Sequence, residues 1–318
     1  MFLVNFLKKI KKIIKQTILF PIAFYRLFKN KKFYKNIKII ESNSILEPID
    51  QIPKIIWLYW DSKDRNYLVE KCISNIKLLC PEFTINILSK ENISNYVDLS
   101  EVNEKLEIAV KADYIRLYLL NRYGGIWLDS SIYLVENLDW IFKNSYQNSC
   151  FLFFSDHCTV NLDSPIVENW FIATSKNNEF INDWFNEFKK CIFSSDPTSF
   201  YSNMKYNTDI IQNIPNTNYL MCYISAAIIR SKKKYNLYML NSGAHGHYYN
   251  YSFYSINFII ALKLLILNTD FTYKPKLIKF TKDSRKWPNI FIKYNIYCRK
   301  SLIGSSIYKN SHCNKIEE

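Results

Sequence analysis

The sequence predicts an α/β fold built on a largely parallel sheet. Three features of residues 50–135 point to it. Short apolar runs alternate with helical periodicity as strand, helix, strand, helix, strand. The helical stretches are closed by Pro81 and by Gly124-Gly125. The strands are brief and rich in Ile and Trp, as strands covered on both faces are.

The elements follow in order. Ile55-Ile56-Trp57-Leu58-Tyr59-Trp60, after Pro53, reads as a buried strand. Leu68, Val69, Cys72, Ile73, Ile76 and Leu79 recur at helical spacing over 66–80. Phe83 to Leu88 alternates as a strand, and a long helix is expected over Glu104 to Tyr123. Ile126-Trp127-Leu128 and Ile132-Tyr133-Leu134 read as strands, Asn169 to Phe193 as a helix, and Ser252 to Leu267 as a buried or interface-facing helix. In open sheets of this class ligands bind beyond the carboxyl ends of the strands. The site is therefore expected near Asp129-Ser130-Ser131, where the apolar run breaks.

The net charge of +14 suggests a nucleic-acid partner, but its distribution excludes one. Residues 1–40 hold eleven basic side chains and no acid, which leaves +3 for the other 278 residues. Leu3, Phe6, Leu7, Ile10, Ile13, Ile14 and Ile18 share one helical face of that segment, with Lys8, Lys11, Lys12 and Lys15 opposite. This is the pattern of a helix lying on an anionic membrane surface, each basic residue contributing about 1 kcal/mol. A solvated arm, or a helix docked on its own domain, would show the same pattern. The lysines interrupt any span-length apolar run, and no cleavable signal is evident. The eight cysteines show no zinc spacing and read as reduced thiols. The expectation is a cytoplasmic protein, peripheral on the inner face of the cell membrane. Its segments are 1–40 (basic and amphipathic), 41–290 (the globular domain) and 291–318 (a tail).

Chemistry concentrates on the long helix. Leu106, Val110, Leu117 and Leu120 form one stripe that also contains Asp113, with Arg116 at its edge. A carboxylate on an apolar face is costly unless paired or used. The two residues are either a buried pair fastening helix to sheet or part of a site. Gly124-Gly125 then permits a sharp turn and close approach, and Asp129-Ser130-Ser131 is either a simple turn or a ligand-holding strand end.

Ala112-Asp113-Tyr114-Ile115-Arg116 with Tyr123-Gly124-Gly125-Ile126-Trp127-Leu128-Asp129 resembles the A-D-x-x-R…Y-G-G-x-[YW]-x-D signature of DXD-type sugar-binding glycosyltransferases, in particular the capsular polysaccharide synthesis branch, similar to family 32. Ile52 to Trp60, Glu91-Asn92-Ile93, Tyr96-Val97, Asn169 to Ala173 and, more loosely, Pro275 to Lys279 extend the likeness. The resemblance implies a GT-A-type, Rossmann-like nucleotide-sugar domain with a mainly helical C-terminal part. It further implies a nucleotide-diphosphate sugar donor and hexosyl transfer with retention to a glycan acceptor, and the basic amphipathic N-terminus suggests an acceptor at the membrane, for example a lipid-linked glycan. Carried over by position, Asp113 and Arg116 contact the donor sugar and Asp129 the ribose or a metal-diphosphate group. Gly124 and Gly125 shape the donor site. Trp57, Tyr59 and Trp60 wall the base, which stacks on an aromatic face for about 1–3 kcal/mol.

The sequence departs from the family pattern at Ser131, which stands where the second DXD carboxylate is expected. A divalent ion (Mn or Mg) held by Asp129 and Ser131 is the implied cofactor, though a hydroxyl is a weak ligand for it. His245 and His247, in Gly243-Ala244-His245-Gly246-His247, are either surface loop histidines or a C-terminal metal or phosphate contact on the donor side. Two other outcomes stay open: a catalytically silent scaffold at the membrane surface, and transfer to a protein acceptor.

Overall fold

The computed structural model describes residues 2–29, 35–42, 51–144, 149–268 and 273–313, with side chains described from residue 14 to residue 308 inside those ranges. Its elements are α1 (Phe2–Lys29), β1 (Lys38–Glu41), β2 (Ile55–Tyr59), α2 (Tyr67–Leu79), β3 (Thr84–Leu88), α3 (Ile108–Tyr123), β4 (Gly125–Leu128), β5 (Ile132–Leu134), α4 (Asp139–Asn144), β6 (Cys150–Phe154) and β7 (Val167–Thr174). There follow α5 (Glu179–Ile192), α6 (Thr208–Ile211), α7 (Met221–Lys232), β8 (Leu237–Asn241), α8 (Tyr248–Ser252), α9 (Asn257–Ala261), β9 (Leu277–Lys279), α10 (Lys286–Lys293) and α11 (Gly304–Cys313).

Seven strands form one mixed sheet in the order β1-β8-β6-β7-β4-β2-β3, and β5 pairs with β9 in a separate ribbon. β2 runs parallel to β3 and β4, while β7 is antiparallel to both β4 and β6. Alternation along each strand divides the core. Trp57, Trp127 and Ile172 face a layer with α3, α5 and α7, whereas Ile56, Leu58, Ile126, Leu128 and Phe171 face a layer with α2 and α4. A third cluster joins Ala23 and Leu27 of α1 to α9, α10 and the residues flanking Lys279. The α/β class is as expected.

Two elements differ from the sequence expectation. The stretch 169–174 belongs to a strand, and the helix begins only at Glu179, after Asn178 accepts a hydrogen bond from the Ile181 amide. All eight residues of β7 are buried between two neighbouring strands. Such a strand has no polar face, so its apolar run carries no period-two signal to separate it from a helix. The long helix starts at Ile108 instead of Glu104, because Asn103 closes a turn on Lys105 and Leu106 and Glu107 is extended. Leu106 therefore lies outside the stripe that holds Asp113. The Ser252–Leu267 stretch is α9 followed by a π-turn at Leu262–Ile266, both with buried residues in the third cluster. Among the described residues no helix is long and apolar enough to cross a membrane.

Candidate active site

Local backbone chemistry sets the site. α3 ends where Gly124 adopts φ +65° and its amide bonds back to the Leu120 carbonyl, and Gly125 follows at φ +95°. A Cβ on Gly125 would lie 2.6 Å from the Ile55 carbonyl oxygen, so only glycine lets β4 start against β2 here. This hairpin-tight reversal sets Asp113 and Arg116 on the helix beside Asp129 at the carboxyl end of β4. Because β7 runs the opposite way, its first residues, Glu168 and Asn169, arrive at that same end.

The three expected residues converge. Arg116, 3% exposed, donates to Asp113 and reaches the Asp129 Oδ1 at 2.8 Å. Its guanidinium lies 4.9 Å from the Trp127 ring centroid. The Trp127 indole N–H also donates to the Asp129 Oδ1, at 3.0 Å. Two groups that sequence reasoning did not single out complete the cluster. Asn169 Nδ2 donates to the Asp113 Oδ1 at 2.9 Å, and the Lys279 ammonium donates to the Asp129 Oδ2. Asn169 and the Pro275-to-Lys279 run were visible as family-like stretches, which was the available signal.

Burial and charge separate the two carboxyls. Burial, with the nearby Asp129 charge, raises Asp113 to about 6 against the pull of Arg116. Burial would raise Asp129 as well, but Lys279 and Arg116 together outweigh it and hold that carboxyl at about 2. One carboxyl therefore titrates close to neutrality beside one that stays ionised, a combination typical of sites that do chemistry.

The other expected residues are distributed differently. Trp57 is 3% exposed and enclosed by Tyr96 and Tyr123, and its indole N–H donates to the Gly124 carbonyl at 2.9 Å. It braces the double-glycine bend and presents no free face to a base. Tyr59 is buried at the end of β2, its hydroxyl donating to Asp61 and its carbonyl accepting from Ser130. Trp60 is partly exposed, with the Arg285 guanidinium 5.3 Å from its ring centroid. His245 and His247 are not surface loop residues. His245 is 4% exposed beside Phe153, and burial together with Lys276 lowers it to about 4. His247 Nε2 lies 3.1 Å from the buried Glu168 carboxylate, between Trp170 and Tyr251. The loop folds inward because Gly246 sits against Trp170 with no room for a Cβ.

The residues at the expected metal position do not fit a divalent ion. Both Asp129 oxygens accept from cationic groups. The Ser131 hydroxyl is buried and its orientation is fixed by donation to the Phe280 carbonyl at 2.8 Å, and a hydroxyl is a weak ligand for a hard cation. Among the described residues no three His, Cys, Asp or Glu side chains are grouped to hold an ion.

Comparison with known proteins places the chain in a family. The chain is 29% identical over 157 residues to the O-glycosyltransferase braB of Annulohypoxylon truncatum, covering 43% of this chain and 37% of that one. It is 25% identical over 166 residues to the O-glycosyltransferase PaGT of Phomopsis amygdali, covering 45% and 39%. The matched region thus spans less than half the length of these curated relatives. A solved structure of the galactosyltransferase LgtC in complex with donor and acceptor sugar analogues aligns over 79% of this chain and 95% of that one. Its identity is 11% and its TM-score 0.39, a likeness that carries no argument. Residues 8–264 match the family described as capsular polysaccharide synthesis protein, more than half the chain, and the chain belongs to that family.

Proposed function

We propose that the protein is a glycosyltransferase that takes a nucleotide-diphosphate sugar and moves the sugar to a hydroxyl of a glycan acceptor, with retention at the anomeric carbon. The observation that carries this reading is the meeting of Asp113, Arg116 and Asp129 at the carboxyl end of β4, with Asn169 and Lys279 closing the cluster. Family membership and the O-glycosyltransferase relatives support it.

Glycosyl transfer passes through an oxocarbenium-like state, so positive charge grows at the anomeric carbon as negative charge grows on the departing diphosphate. Asp113, ionised above about pH 6 and steadied by Asn169 and Arg116, accepts from the sugar hydroxyls and favours the cationic centre. Arg116 holds both carboxylates in one geometry by a two-armed contact that a lysine cannot copy. Retention follows if the acceptor attacks the face the diphosphate leaves and gives its proton to that phosphate. No separate base is then needed.

On this reading the acceptor lies at a membrane surface, and the build of α1 supports it. Ile14, Ile18, Ile22, Phe24 and Phe28 stand exposed on α1, while Ala23 and Leu27 of the same helix are buried against the body. The exposed flank suits the acyl boundary of a bilayer and the basic segment suits its anionic headgroups. A lipid-linked glycan is the acceptor class this arrangement favours.

A panel of nucleotide-sugars tested for thermal stabilisation, then for release of nucleoside diphosphate, decides the matter. Asp113→Asn and Asp129→Asn should each reduce turnover by at least about a hundredfold while the fold is kept. Wild-type turnover in either variant would refute the assignment.

A further inference from the structure

The arrangement around Asp129 is an excess of fixed cations, and it is built from this chain's own residues. Ser131 is bonded to Phe280 in both directions: its hydroxyl donates to the Phe280 carbonyl at 2.8 Å and its carbonyl accepts from the Phe280 amide at 3.0 Å. The residue before Phe280 is Lys279, paired in register with Ile132 and with its carbonyl held by Asn250. Ser131 thus fastens the segment that delivers the ammonium to Asp129. A carboxylate at position 131 has no proton to donate and would face the Phe280 carbonyl with like charge.

Arg116 acts on both Asp129 and Lys279, Arg285 acts on Lys279 and feels Asp129, and Asp113 lies close enough to feel the Asp129 charge. With both carboxylates ionised, the group totals two negative charges against three positive ones. Such a field opposes the entry of a divalent cation and attracts a polyanion. Donors are also left over. Of the three ammonium hydrogens of Lys279, 11% exposed, one is used on Asp129. Among the described residues the Arg285 guanidinium makes no hydrogen bond or ion pair, and it stands over the Trp60 ring at 5.3 Å from the centroid.

Resting on the glycosyltransferase reading above, we infer that Lys279 and Arg285 bind the donor diphosphate in place of a divalent metal ion, so that donor binding and transfer are metal-independent. In the transfer the bond between the anomeric carbon and the β-phosphate oxygen breaks, its electron pair leaving on the phosphate. The acceptor hydroxyl oxygen bonds to that carbon, and the hydroxyl proton passes to the phosphate. Lys279 and Arg285 donate hydrogen bonds to the phosphate oxygens on which charge accumulates. Trp60, under Arg285, marks where the nucleoside end of the donor would lie.

The test is calorimetric titration of the full chain with UDP, GDP, dTDP, CDP and ADP, first in EDTA and then with manganese or magnesium. At least one diphosphate should bind in EDTA, and added metal should change its Kd by less than about threefold. Lys279→Met should weaken that binding roughly ten- to a hundredfold, the loss expected of a charge-assisted hydrogen bond, and Lys279→Arg should restore most of it. Arg285→Gln alters a partly exposed side chain. It should weaken binding without lowering the melting temperature, and it carries the test if Lys279→Met fails to fold. Binding that requires metal would overturn the inference, as would wild-type affinity in both Lys279→Met and Arg285→Gln. Absence of binding by every diphosphate, with and without metal, would instead remove the nucleotide-sugar reading on which the inference stands.

Discussion

Replacing Arg116 with Met removes the only group among the described residues that touches both carboxylates of the cluster, and its cost can be worked from the geometry. The guanidinium is 3% exposed and donates to Asp113 and, at 2.8 Å, to Asp129. Breaking a buried ion pair from one side typically costs about 3–5 kcal/mol, because the partner charge is left desolvated. Lys279 still serves Asp129, which places the expected loss in the lower half of that range. For a chain of this length each kcal/mol moves the melting temperature by about 1.5 °C, so a fall of about 5–6 °C is expected at pH 8. The pH dependence supplies the sign. Without the arginine both carboxyl pKa values rise, and Asp113 already stands at about 6 with the arginine present. A protonated carboxyl needs no cation, so the stability contributed by Arg116 is present at high pH and is lost as pH falls through the variant's carboxyl values. The gap between wild type and variant should therefore narrow from pH 8 to pH 5 in differential scanning calorimetry. Arg116→Lys should fall between the two, since an ammonium keeps the charge but lacks the planar fork that fixes both carboxylates in one geometry. A shift below about 2 °C at pH 8, or a gap that widens on acidification, would refute the buried-bridge account.

Two further outcomes follow from the same cluster and from α1. The acid limb of the pH profile of kcat/KM should lie at about 6, set by ionisation of Asp113, and Asn169→Ala should move it to higher pH by removing a donor that favours the carboxylate; a limb at unchanged pH in the variant would remove Asp113 from that role. Replacing Ile14, Ile18, Ile22 and Phe28 together with Ser should lower sedimentation with phosphatidylglycerol vesicles by at least about tenfold while leaving the melt unchanged, because each exposed side chain would bury apolar area on the bilayer.

The part of the site that could be read from sequence is the part whose residues lie close along the chain. Asp113, Arg116, the double glycine and Asp129 fall within 17 positions, and helix geometry plus one tight reversal brings them together. Asn169, Lys279 and Arg285 arrive from β7, β9 and the turn before α10, and no local period announces such an arrival. The misreading of 169–174 as helix had the same origin, since a strand covered on both sides loses its alternation. Trp57 shows the opposite difficulty. An aromatic on a first strand looked free to stack a base, but in the fold its indole N–H is held by Gly124 and its ring by Tyr96 and Tyr123. His245 and His247 were placed by loop composition, and the contact between Gly246 and Trp170 turns that loop inward.

The docking of α1 bears on how any acceptor meets the cluster. Ala23 and Leu27 share their hydrophobic cluster with Ile278 and Phe280, the two neighbours of Lys279, and Arg26 donates to the Ser252 carbonyl at 3.0 Å. A flexible leash would let the body tumble above any surface and turn the cluster in every direction. A helix seated on the same hydrophobic cluster as the neighbours of Lys279 acts instead as a fixed keel, so that under the proposed function whatever surface its outer flank rests on would set the tilt and height of the carboxylate cluster.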